Sequence, residues 1–213
     1  MPVPGALAVV HDDAACVVVV KPGGLLSVPG RGEHGHDCLA ARVQALFSDA
    51  LVVHRLDMST SGLMLFARCA LAQRNLSIAF AAREVNKRYV AVADGLVEQD
   101  SGEIDLPLMA DWPNRPKQKW DREQGKPSLT RYRVLVRDEA ARTTRLELEP
   151  VTGRAHQLRL HLLSLGHPIL GDALYAPPQV QARASRLLLH ASALRFAHPV
   201  SGAPMAFESA APF

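Results

Sequence analysis

Two runs near the middle of the chain, Leu129 to Val136 and Thr144 to Leu148, alternate apolar and polar residues across the polar segment Asp138 to Arg142. A period of two sends alternate side chains to opposite faces of an extended strand. The pattern therefore predicts a β-hairpin, and it demands a second layer to cover the apolar face. The same grammar recurs elsewhere. Leu7 to Val10 and Cys16 to Val20 are β-rich runs around the turn signal His11-Asp12-Asp13, and Lys21-Pro22-Gly23-Gly24 stops the second. Strands are predicted for Leu63 to Ala67, Tyr89 to Ala93, Glu103 to Leu108, Leu187 to Ala197 and Met205 to Glu208.

Helical periodicity interrupts the strands three times. Asp37 is placed to cap a helix over Cys38 to Phe47, with Leu39, Val43 and Leu46 at helical spacing. Alanine-rich Ala70 to Glu84 carries Leu71, Leu76 and Phe80. Arg154 to Gly166 sets Leu158, Leu162 and Leu165 on one face, with Gly166 as a stop. Leu25 to His36, rich in Gly, Pro and charge, predicts an ordered loop. No repeat, low-complexity linker or domain boundary is visible. Hairpins with a few helices between them predict a single α+β domain over residues 1–213, with a mixed, largely antiparallel sheet flanked by helices and loops.

No apolar run approaches the roughly 18 residues of a membrane helix, and MPVPGALAVVHDD lacks the basic-then-apolar pattern of a signal peptide. A cytoplasmic protein is expected, with Cys16, Cys38 and Cys69 as buried free thiols. The formal net charge is only +3, but its distribution is uneven. Arg115, Lys117, Lys119, Arg122, Lys126, Arg131 and Arg133 cluster with only Asp121 and Glu123 against them, and Trp112 and Trp120 flank the prolines of an expected exposed loop. Such a stretch is either a solvated face or a basic-aromatic contact for RNA.

The chemistry-bearing residues centre on VHRLDMSTSGLMLFAR, Val53 to Arg68. Arg55 and Asp57 stand two residues apart, on one face of an extended segment, ahead of the turn formers Ser59, Thr60, Ser61 and Gly62. They fit a catalytic carboxylate beside a substrate-handling cation, or a surface ion pair before a core strand. His156 and Arg159, three apart, share a helix face distinct from the leucines and point either to solvent or to a carboxylate such as Asp57. An arginine there would keep the carboxylate ionised, as a nucleophile requires. Tyr89 follows Lys87 and Arg88: a strand aromatic packed in the sheet, or a stacking face for a base. His34, His36, His156 and His161 show no HExxH or Cys-His ligand spacing, so no metal site is expected. The glycine-rich PGGLLSVPGRG has neither P-loop nor GxGxxG form.

Taken together these segments are similar to the RluA-type pseudouridine synthases. HRLDMSTSG resembles the family signature HRLDxxTSG, Lys87-Arg88-Tyr89 its second motif, and TGRAHQLR, Thr152 to Arg159, its third, continued by His167-Pro168-Ile169-Leu170-Gly171-Asp172. The blocks fall in order from about Leu7 to the C-terminus, as in the small members that lack an N-terminal S4 RNA-binding domain.

That resemblance implies conversion of uridine to pseudouridine within RNA: the N-glycosidic bond breaks, the base rotates, and its C5 bonds to the ribose. Asp57 would be the nucleophile, attacking the ribose C1′ or the base or assisting an elimination. Arg159 would pair with Asp57. Tyr89 would pack on the target base and assist proton movement at C5, and Arg55 would fill the gap left by the flipped uridine. Lys87, Arg115, Lys117, Lys119, Arg154 and His156 would contact RNA. The resemblance further implies a 23S rRNA hairpin and tRNA anticodon stem-loops as substrates, a monomer, and no cofactor or metal. Two rival functions remain at this stage. A silent RNA-binding or ribosome-assembly protein could keep the fold. A glycosidase would need a second carboxylate near Asp57, which no motif supplies.

Overall fold

A computed structural model describes residues 7–30 and 37–213. The predicted loop is therefore seen only to residue 30, and His34 and His36 lie outside the described residues. The fold is α+β, with largely antiparallel strand pairing, as the alternating runs require. The chain divides into two compact units, Met1–Asn86 with Ala191–Ala211, and Lys87–His190 with Pro212–Phe213.

In the first unit β1 (Ala8–Asp12) and β2 (Cys16–Lys21) form the expected hairpin. Asp13 holds its turn: one carboxylate oxygen accepts the N–H groups of Ala15 and Cys16 at 2.7 and 2.8 Å. Helix α1 (Leu39–Leu46), β3 (Leu51–Val52), β4 (Ser61–Ala67) and α2 (Ala70–Ala82) follow. The unit closes with β11 (Leu189–Ala197), beside β4 and β12 (Pro204–Glu208). Strand β4 is buried along its whole length because both of its faces are covered. Leu63, Leu65 and Ala67 pack with Ala72 and Leu76 of α2, while Met64 and Phe66 pack with Leu39 and Val43 of α1.

The cap of α1 differs from expectation. The N-cap of α1 is Cys38, whose sulfur accepts the Ala41 N–H at 3.4 Å, and Asp37 instead forms a two-pronged pair with Arg42. Cys69 caps α2 in the same way through the Ala72 N–H. It is exposed, so only Cys16 and Cys38 are the buried thiols expected. Leu71 on α2 also faces solvent, and Ala72 takes its place in the core.

In the second unit β5 (Asn86–Asp94), β10 (Thr143–Pro150), β9 (Leu129–Asp138) and β6 (Ser101–Asp105) lie in that order, with antiparallel registers from β5 through to β6. The hairpin of β9 and β10 spans the predicted turn. One face buries Ala91, Ala93, Ile104, Tyr132, Leu146 and Leu148 under Leu158 and Leu162 of α3 (Gln157–Ser164). The opposite face is charged: Glu147 pairs with Arg133 at 3.1 Å and Arg88 at 3.4 Å, and Arg131 pairs with Glu103 at 2.8 Å. The basic segment is not wholly a loop. It contains a 3-10 turn (Trp112–Asn114) and β8 (Gln118–Trp120), which pairs with β7 (Leu108–Ala110) as a small hairpin. A short α4 (Pro178–Gln181) precedes β11.

Candidate active site

Asp57 lies in the first unit, on the irregular stretch between β3 and β4. Along it Arg55 is exposed, Leu56 is buried and Asp57 is half-buried, so Arg55 and Asp57 do project away from the core while the leucine anchors the chain. The anchoring is unusually dense. The Ser27 hydroxyl donates to the Leu56 carbonyl at 2.6 Å and accepts the Leu56 N–H at 3.1 Å. Residues 57–60 form a β-turn closed by the Thr60 N–H on the Asp57 carbonyl at 3.1 Å. Next to it, the Met58 carbonyl accepts from the Gly24 N–H at 2.8 Å and from the Lys21 ammonium at 2.9 Å.

That ammonium is fully buried and also donates to the carbonyls of Pro22 and Leu25 at 2.9 and 2.7 Å. A charge removed from water needs such partners. Upstream, His54 stacks on Phe80 of α2 with centroids 4.6 Å apart, and its Nε2 accepts the Leu65 N–H of β4 at 2.9 Å. The carboxylate thus sits on backbone held from both sides.

Gly62 has a different task from the one its turn-like setting suggests. Its φ is +118°, and a Cβ there would lie 2.7 Å from the Ala191 Cα and closer still to that residue's N and O. Glycine is needed so that β11 can run against β4, rather than so that a ligand can approach.

Arg159, in the second unit, is only 3% exposed. Its guanidinium forms a fork on Asp172, Nε to Oδ2 at 2.7 Å and Nη2 to Oδ1 at 2.5 Å, and lies 4.9 Å above the Tyr175 ring. Asp172, 1% exposed, also accepts the N–H groups of Leu174 and Tyr175 at 2.9 and 3.1 Å. Of the two expectations for Arg159, solvent is wrong and a carboxylate is right, and Asp172 is a carboxylate partner that helix spacing could not name.

The helix begins later than predicted. His156 caps α3 with φ 55°, so it does not share a helix face with Arg159. Its Nδ1 meets the Tyr175 hydroxyl at 2.6 Å. The rest of TGRAHQLR has a structural reading. The buried Gln157 amide accepts from Thr152 and the Arg154 N–H and donates to Leu129 and Thr130, binding the turn to β9. His161, one turn along, is buried between Thr130 and the Leu106 carbonyl. Burial pulls its pKa below the usual histidine value, so it stays neutral there.

Tyr89 is half-buried on β5 opposite Leu148 and packs against the core of its unit. Lys87 extends toward the turn at Gly153, with its Nζ 3.9 Å from where a Gly153 Cβ would stand. Burial lowers its pKa. Such an under-solvated amine gains by meeting a phosphate. Arg154 is exposed and touches the Pro127 carbonyl at 3.3 Å. On the small hairpin Lys119 is exposed and Lys117 half-buried, and the Arg115 guanidinium stacks 3.2 Å over the exposed Trp112 ring. Arg131 and Arg133, counted in the same basic run, are instead committed to glutamates on the sheet.

One cluster escaped ligand-spacing rules. His11, Asp13 and Cys16 bring ligand atoms within 4.8 Å of one another. Burial and the adjacent Asp13 push the Cys16 thiol up to about 12. Burial also raises the Asp13 carboxyl, but its hydrogen bonds to Cys16, His11 and Ala15 outweigh this and hold it well below the usual carboxylate range. Hairpin capping accounts for the arrangement.

With this geometry in place, comparison with known proteins defines the class. The chain belongs to the RNA pseudouridylate synthase family, whose model matches residues 15–164, and it is an isomerase that converts uridine to pseudouridine in RNA. Within that family it is RluA-type. It is 51% identical over 207 residues to the dual-specificity RNA pseudouridine synthase RluA of Yersinia pestis, covering 97% of this chain and 100% of that one. The RluA of Pasteurella multocida is also 51% identical, over 203 residues, 95% of this chain and 92% of the relative. Among solved structures, human RNA pseudouridylate synthase domain containing 1 superposes with a TM-score of 0.81 at 29% identity, over 99% of this chain and 87% of its own.

Proposed function

We propose that the chain is a dual-specificity enzyme that acts on a 23S rRNA hairpin and on tRNA anticodon stem-loops. The observation that carries this is 51% identity along essentially the whole length of a relative described as dual-specificity. Both units serve one catalytic domain in this reading, since the family match runs through residues of each. Asp57 is the nucleophile. Arg159 keeps that carboxylate charged, and Tyr89 packs on the extruded uracil. In the isomerisation the N1–C1′ bond breaks, C5–C1′ forms, and the proton lost from C5 is balanced by one gained at N1, so no redox partner, cofactor or metal is called for.

Flipping a base costs a few kcal/mol. Arg55 offsets part of that by occupying the vacated stack, a role supported by its exposure. Lys87, Arg115, Lys117, Lys119, Arg154 and His156 supply the contacts to phosphate and sugar. The enzyme works as a cytoplasmic monomer.

Mapping carbodiimide-reactive pseudouridines in total RNA with and without the protein tests the substrates. New sites in both 23S rRNA and tRNA are expected, and modification of only one class would refute dual specificity. Asp57→Asn is expected to abolish carbodiimide-detectable pseudouridine in an rRNA hairpin while RNA binding survives. Retained activity in that variant would end the nucleophile assignment.

A further inference from the structure

Tyr175 belongs to none of the motif segments, yet three separate parts of the second unit meet at it. Its ring lies 4.9 Å under the Arg159 guanidinium. Its N–H donates to Asp172 Oδ1 at 3.1 Å, the same oxygen that Arg159 Nη2 meets. Its hydroxyl accepts the backbone N–H of Gln118 at 2.8 Å and meets His156 Nδ1 at 2.6 Å. Either tautomer of His156 satisfies that contact, since the phenol can give its proton or accept one. One side chain therefore touches the small hairpin, the residue capping α3 and the arginine fork.

The hairpin needs such an anchor. Strands β7 and β8 pair over three residues each, Leu108 with Trp120, Met109 with Lys119 and Ala110 with Gln118; of these only Leu108 is buried, and Lys119 and Trp120 are exposed. A two-stranded ribbon of that length is marginal by itself in water. Gln118 stands between Lys117 and Lys119, so the phenol holds the backbone at the point from which both cations project. Its other end is fixed by the Asp172 fork. A rigid aromatic bridge is well suited to this, because only two side-chain torsions have to be frozen.

We propose that Tyr175 is a positioning residue that ties the basic hairpin to the Arg159–Asp172 pair, so that RNA docking on Lys117 and Lys119 is registered to Arg159. The inference rests on the proposed function for its RNA ligand and deepens it by naming what holds the RNA-binding element in place.

The hydroxyl and the ring can be separated by substitution. Tyr175→Phe keeps the ring beneath Arg159 and deletes the hydroxyl that bridges Gln118 and His156. Tyr175→Leu removes both. The probe is a short stem-loop RNA with a single loop uridine, followed by fluorescence anisotropy for Kd and by steady-state pseudouridine formation. For Tyr175→Phe, Kd and KM should rise about tenfold with kcat within a factor of two. For Tyr175→Leu, kcat should fall as well. In a double-mutant cycle with Lys119→Ala the two losses in affinity should combine to less than their product, because an untethered hairpin no longer presents Lys119 well.

An unchanged Kd in Tyr175→Phe, a loss confined to kcat, or losses that multiply with Lys119→Ala would each overturn the inference. Binding is read independently of turnover. A wild-type protein that binds the stem-loop but forms no pseudouridine would therefore defeat the proposed function and leave the tether testable by Kd alone.

Discussion

The two units fix their key side chains by opposite means. In the first, Asp57 stands on a turn secured through the main chain. Ser27 holds both backbone groups of Leu56, and Lys21 and Gly24 converge on the Met58 carbonyl. In the second, Arg159 is fixed through side chains, by a buried fork to Asp172 and the ring of Tyr175. Backbone anchoring places a carboxylate while leaving its own oxygens to face other groups. Side-chain anchoring orients a planar cation but makes its placement depend on each partner in turn. The difference suggests that first-unit lesions will be graded and second-unit lesions abrupt.

The sharpest way to break that contrast is Asp172→Ala. It leaves Arg159 a buried charge without its fork, and removing one partner of a buried pair costs about 3–5 kcal/mol. A large fall in the denaturation midpoint is expected in urea, and a loss below about 1 kcal/mol would show that the second unit is not so built. Ser27→Ala comes next. It orphans the N–H and C=O of Leu56, a penalty of about 1–3 kcal/mol, and it should also depress turnover by letting Asp57 drift. Normal turnover in a destabilised Ser27→Ala protein would separate the anchor from the catalytic geometry.

A smaller effect is tied to pH. His161 is neutral in the fold with its pKa lowered by burial, so the unfolded chain takes up its proton first as pH falls. Its contribution is complete above the ordinary histidine value of about 6.5 and is lost as pH drops toward the folded value. Thermal melts between pH 7.5 and 5 should show a decline that is shallower in His161→Gln. Smallest of all, Arg131→Ala and Arg133→Ala should each change stability by less than about 1 kcal/mol, as exposed ion pairs do. RNA affinity should also stay constant, in contrast to Lys117→Ala and Lys119→Ala. A matching loss of affinity would return the charged sheet face to the RNA-binding surface.

What the sequence makes legible follows the range of the forces involved. The hairpins of β1 with β2 and β9 with β10 are local, set by side-chain alternation and the polar turn between the runs, and both are readable. The two-sided burial of β4 is readable as a continuous apolar run. The caps of α1 and α2 are not, because a thiol is a weak acceptor and Asp37 looks like the stronger candidate until Arg42 claims it. The Arg159–Asp172 fork joins residues 13 apart through a turn with no periodic signature. The available signal is Asp172 itself, an acidic residue closing the motif directly after Ile169, Leu170 and Gly171. His156 shows the same limit. Helical spacing pairs it with Arg159, but a left-handed backbone at that position, φ 55°, keeps it outside the helix, which begins at Gln157. The site residues are legible as motifs, and their partners depend on tertiary contacts.

The close passage of β11 over Gly62 has a consequence for how this protein can vary. Only a hydrogen fits at that position. If β4 slipped by one residue, a side-chain-bearing neighbour would be pushed against Ala191, and the residues now facing α1 would turn toward α2. The strand is therefore indexed like a gear with one missing tooth. With residues 57–60 closed as a turn directly before it, the spacing from Asp57 to Gly62 is a ruler that the sheet itself enforces.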